Sequence, residues 1–131
     1  MTEYEPGVCN IGARERRRRR WLGVTGFVLA AAYVGVVLYV ELPAVVLLGT
    51  VAFLFPGFMG VLQDRAAFCA GFAVREQYDF TGSGGDAGSV RDKSAVPKDR
   101  VNAAKQVLAA VLGSLVLTGA VYAFGQVLLA S

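Results

Sequence analysis

Charge stops abruptly at Trp21. Five consecutive arginines, Arg16 to Arg20, precede it, and an uncharged, almost wholly apolar run follows as far as Val40. At 1.5 Å per residue, a helix of about twenty residues matches the roughly 30 Å hydrocarbon core of a bilayer, so the run has the length of a membrane span. Fixed positive charge at one end of such a run holds that end in the cytoplasm. The side on which every later segment lies follows from this junction.

The remaining charges are distributed as this reading requires. Apart from Glu41, none lies between Trp21 and Gln63, and none follows Lys105. A soluble domain spreads its charges over its surface, whereas a polytopic membrane protein confines them to loops and tails. The expected fold is therefore an all-α integral membrane protein with three transmembrane helices, the first two forming an antiparallel hairpin.

Residues 1–20 read as a cytoplasmic tail ending in the arginine block, and 21–40 as the first span, with Trp21 and Tyr39 in the two aromatic belts. Glu41-Leu42-Pro43 makes a short turn, since proline disfavours helix in the residue before it and suits the first turn of the next helix. The second span covers 44–62, with Pro56-Gly57 and Gly60 predicting a kink or a local break near Phe55. Residues 63–105 form a cytoplasmic segment. Within it Ala66 to Val74 is too short to span and either lies along the interface or re-enters the protein. Residues 75–96, with the Gly- and Ser-rich run Thr81 to Ser89, have the composition of a flexible linker. The third span covers 106–129, its helix starting as early as Pro97 with Asp99 in the first turn.

This topology puts all seven lysines and arginines outside the N-terminal block on the inner side and none on the outer side. It predicts a multi-pass protein of the inner or plasma membrane, N-terminus cytoplasmic and C-terminus outside. Arg18-Arg19-Arg20-Trp21-Leu22 also approximates a twin-arginine export signal. The length of the apolar run and a second span three residues later argue against cleavage.

Composition excludes several functions. The net charge of +3 does not point to nucleic acid, because six of the thirteen basic residues, Arg14 and Arg16, Arg17, Arg18, Arg19 and Arg20, sit at the membrane junction. There they act as a topology signal and meet anionic headgroups, so the expected partners are the lipid bilayer and a membrane-protein partner or a second copy. Histidine is absent, which excludes bis-histidine haem ligation, a Ser-His-Asp triad and any imidazole zinc site within the chain. The Gly-rich run lacks the Lys-Ser/Thr end of a phosphate loop. No metal or cofactor is expected, nor a catalytic constellation.

Two features carry candidate chemistry. Cys9 precedes the first span and Cys69 follows the second, so both fall at the cytoplasmic face. Each is either a small buried hydrophobe or part of a thiol site, as a pair or as a single thiol that Arg14, Arg16 or Arg65 would turn toward thiolate. In the third span, Ser114, Thr118, Tyr122 and Gln126 recur every four residues, beside Gly113 and Gly119. Such a face suits helix packing with interhelical hydrogen bonds, or the polar lining of a path.

Asn10-Ile11-Gly12, then Glu15-Arg16 and the arginine run, a hairpin of two spans, Gly60 and Phe68-Cys69 together resemble the small YgaP-type, rhodanese-associated inner-membrane domain. The resemblance covers roughly residues 9–74. Ala70 stands where that pattern has proline, and a polar Gln63-Asp64-Arg65, a linker and a third span are added. The resemblance implies a membrane module linked to sulfur or thiol traffic, with Asn10, Gly12 and Cys69 as the matching positions; Cys9 joins them from topology. The functions to weigh are thus a non-enzymatic subunit or scaffold, a thiol-dependent redox or sulfur-handling protein using Cys69 and Cys9, and a small oligomeric transporter or channel.

Overall fold

The computed structural model of the chain describes residues 3–82 and 84–130. Four α-helices dominate: α1 (Ala13–Val40), α2 (Val51–Ala66), α3 (Ala70–Val74) and α4 (Ala95–Ala130). A 3₁₀ segment, Ala44–Thr50, leads directly into α2. Ala13–Val40, Ala44–Ala66 and Ala95–Leu129 are each long and apolar enough to cross a membrane. Much of their apolar surface faces outward, including Trp21, Val28, Val36 and Tyr39 on α1 and Leu115, Val116, Phe124 and Val127 on α4. In water that exposure would be costly; in a bilayer it is the normal surface.

The protein is not all-α. Gln77–Asp79 (β1) and Ala87–Ser89 (β2) pair antiparallel, Tyr78 opposite Gly88, where composition suggests a flexible linker. The fold comes from neighbours that composition does not reveal. Phe80 is buried against Cys9 and Ala67, and Asp79 exchanges backbone hydrogen bonds with the tail: Asp79 N–H donates to Asn10 O at 2.9 Å, and Gly12 N–H to Asp79 O at 2.8 Å.

α1 and α2 meet at four glycines. A Cβ placed on Gly60 would lie 2.5 Å from both Arg19 O and Gly23 N, and one on Gly26 would lie 2.8 Å from Gly57 N. No side chain fits there, so the two backbones touch directly, as small residues permit in membrane helices. The partners advance in opposite senses: Gly26 meets Phe53 and Gly57, Gly23 meets Gly57 and Val61, and Arg19 meets Gly60. Pro56 lies inside α2, and the helix continues through it to Ala66.

Both ends of the α1–α2 pair close with residues in the left-handed region. Glu41 (φ 60) ends α1, with Leu42 N–H donating to Val37 O at 3.0 Å. Ala67 (φ 52) ends α2, with Phe68 N–H reaching Gln63 O at 3.2 Å. These bonds satisfy the last helical carbonyls as a Schellman turn does. Ala67 occupies a conformation that glycine takes more readily, and its methyl is fully buried against the Cys9–Phe80 cluster. The turn sends the chain back across the end of the bundle as α3.

Candidate functional site

The three long helices are tied together at one end by a polar cap built around Phe68-Cys69-Ala70. Backbone groups in this turn have no helical partner, and buried ones must find another. Two carboxamides supply it. Asn10, fully buried, donates from Nδ2 to Cys69 O at 3.0 Å and accepts from Cys69 N–H at Oδ1, 2.7 Å. Gln106 of α4 donates from Nε2 to Phe68 O at 2.9 Å and accepts from Ala70 N–H at 3.2 Å. A carboxamide carries one acceptor and two donors, so each side chain mimics a neighbouring backbone strand.

The tail that carries Asn10 is itself pinned. Asn10 and Ile11 N–H both donate to Ala67 O, at 3.0 and 3.2 Å. Farther out, Tyr4 Oη and Gly7 N–H (2.7 Å) donate to the two oxygens of Asp99, a carboxylate buried on α4. Burial first, and then the hydrogen bond to Asp99, raise the Tyr4 pKa well above the usual phenol value. Three distant stretches of sequence, the tail, the 67–70 turn and α4, thus converge.

The Cys69 thiol points to Arg19, whose Nη2 donates to Sγ at 3.5 Å. Arg19 Nη1 also donates to Glu15 Oε2 at 2.8 Å, and both side chains are largely buried. The guanidinium lies 5.6 Å from the centre of the Phe72 ring, with Arg75 at 5.4 Å from the same ring. Cys69 is only 5% exposed. The neighbouring cation is therefore Arg19, one turn further along the block than Arg16. Arg16 instead donates to Asp64 O at 2.8 Å, and Arg14 runs along the backbone at Gly82.

The two cysteines do not form a pair. Cys9 and Asn10 are consecutive in extended chain, and alternate residues of such a chain face opposite sides. With Asn10 turned to Cys69, Cys9 is turned away, into the cluster of Ala67 and Phe80, where its thiol donates to Glu3 O at 3.3 Å. Both thiols are free, and burial pushes that of Cys9 up. Gly12 sits at the entrance to α1, its N–H on Asp79 O and its carbonyl accepting from Arg16 N–H.

On α4, Ser114 and Thr118 are buried with Ala103, Gln106 and Ala110 along one packed line. Ser114 Oγ donates to Val111 O at 3.0 Å, while Thr118 Oγ1 is buried without a partner. Gly113 lies under the Phe58 ring, and Gly119 has open space around it. Gln126 donates to Tyr122 Oη on the exposed side. Sequence reasoning passed over Gln106, Tyr4, Glu15 and Asp64 as site residues and read Asp99 only for its place in the first turn. The available signal was a carboxamide or carboxylate at the edge of a membrane-length apolar run, where a polar side chain needs a specific partner.

Among the described residues no group of three His, Cys, Asp or Glu side chains could hold a metal ion. An open hollow between tail and hairpin, bordered by Glu3, Tyr4, Tyr78, Asp86 and Arg91, lies apart from Cys69. Comparison with protein-family models, curated proteins and solved structures gives no match to this chain.

Proposed function

We propose that this chain is an integral protein of the inner or plasma membrane that acts as a non-enzymatic subunit or scaffold. In this reading α1 and the 44–66 helix cross the bilayer as an antiparallel hairpin and α4 crosses beside them. The arginine block and the cap lie in the cytoplasm, and the C-terminus lies outside. The observation that carries the reading is the use of the cap's buried polar groups. Asn10, Gln106 and Asp99 are all engaged in holding backbone of distant segments, which is what fixing the mutual positions of three spans requires. A membrane protein partner or a second copy would meet that fixed bundle.

A second reading is favoured by one contact. The Arg19 guanidinium donates to Cys69 Sγ, and Asn10 and Cys69, both matching positions of the YgaP-type resemblance, meet in space. On this reading Cys69 alone, without Cys9, handles a thiol or sulfane sulfur at the cytoplasmic face.

Substitution separates the two. For a scaffold, Cys69→Ser leaves abundance and complex size in mild detergent unchanged, whereas Asn10→Ala lowers abundance by freeing the turn. Loss of a thiol-dependent phenotype in Cys69→Ser, with abundance and complex size intact, would replace the scaffold reading by the thiol one.

A further inference from the structure

The six arginines at the membrane junction are not equivalent. Arg16 and Arg20 both approach Asp64, at 3.5 and 3.6 Å, and Arg18 and Arg19 both approach Glu15, at 3.9 and 2.8 Å. Arg14 lies along the Gly82 turn. Among the described residues Arg17 has no carboxylate partner, and its side chain is exposed. Two carboxylates cannot match six arginines, so much of the block's charge stays unneutralised, and Arg17 carries part of it on an exposed side chain.

Arg17 lines a shallow groove with Arg20, Trp21 and Val24. Their spacing of i, i+3, i+4 and i+7 puts the four on one face of α1, away from the glycines that contact α2. Arg20 reaches Asp64 through Nε only loosely and is more than half exposed. The groove is cationic at its cytoplasmic end and apolar where Trp21 and Val24 enter the span. A phospholipid has the same layout, with its phosphate above and its acyl chain below.

We propose that this groove is a site for one anionic phospholipid, with the headgroup phosphate between Arg17 and Arg20 and the upper acyl chain along Trp21 and Val24. The assignment rests on α1 being a membrane span. Charge complementarity selects the occupant. A zwitterionic headgroup would bring its own cation beside two guanidiniums, whereas an anionic one leaves their charge to be matched by the lipid.

Trp21 is the only tryptophan in the chain and reports on its own groove. The full chain is reconstituted in vesicles of equal phosphatidylglycerol and phosphatidylcholine, with bromine on the acyl chains of one lipid or the other, and Trp21 quenching is compared. The site predicts stronger quenching by brominated phosphatidylglycerol, corresponding to a local anionic-to-zwitterionic ratio on the order of fivefold above bulk. Arg17→Gln returns the ratio to bulk. Arg18→Gln makes the same charge change on the same turn and leaves the ratio raised; glutamine matches arginine in helix propensity, so α1 persists in both. Equal quenching by the two lipids in the unaltered protein overturns the site, as does an equal loss in both variants, which would reveal only a diffuse field. Absence of quenching by either lipid would instead overturn the membrane placement of α1.

Discussion

Asn10 shows how much one side chain does here. Its two hydrogen bonds to Cys69 are buried, and removing the amide leaves a backbone N–H and C=O without partners in a place water does not reach. Asn10→Ala is expected to cost about 1–3 kcal/mol, read as a lower thermal midpoint in mild detergent. Tyr4 carries a pH dependence of definite sign. Its raised pKa means that the neutral phenol is favoured in the folded protein, so this contribution is fully present below the ordinary phenol value of about 10 and is lost as pH rises through the higher folded value. In tyrosinate absorbance Tyr4→Phe should remove a late-titrating phenol. Cys9 behaves in the same sense, since burial raises its thiol pKa. Maleimide at neutral pH should label it far more slowly in the folded protein than after denaturation. That Cys9 and Cys69 fall at the same end of the long helices was legible from the order of the apolar runs. Their separation was not, because it depends on which side of an extended strand faces the turn, and no charge count contains that.

Among the helices, α1 and α2 are held by backbone contact at Gly23, Gly26, Gly57 and Gly60. Gly60→Ala would drive a methyl into Arg19 O and Gly23 N, so the helices must separate; a loss of about 1–3 kcal/mol is expected. Gly35→Ala and Gly119→Ala, with nothing within 4 Å of the added carbon, should leave the same midpoint unchanged or slightly raised, since alanine is the better helix former. Sequence reasoning placed Pro56-Gly57 and Gly60 correctly within the second apolar helix and assigned them to a kink. The glycines also form a surface of close approach. That distinction needs the partner helix, because a glycine that permits bending and one that permits contact look alike in a single strand of sequence. The hairpin β1–β2 escaped for a related reason. Its residues are small and polar, and what orders them is Phe80 in the Cys9 cluster and the Asp79 backbone against the tail.

For the whole molecule, three helices of membrane length were legible because apolar length and charge segregation are properties of sequence alone. The cap was not legible, since it joins residues 10, 69 and 106 through hydrogen bonds rather than through hydrophobic pattern. The account depends on the cap and the arginine block sharing the cytoplasmic side while the Glu41-Leu42-Pro43 turn faces out. Both native cysteines are buried, so a single introduced thiol reports its own side with little background. The direct measurement is labelling of Leu42→Cys and Arg91→Cys in intact cells with a membrane-impermeant maleimide. Leu42→Cys should label in intact cells, and Arg91→Cys only after the membrane is permeabilised. Labelling of Arg91→Cys from outside, with Leu42→Cys protected, would contradict the account.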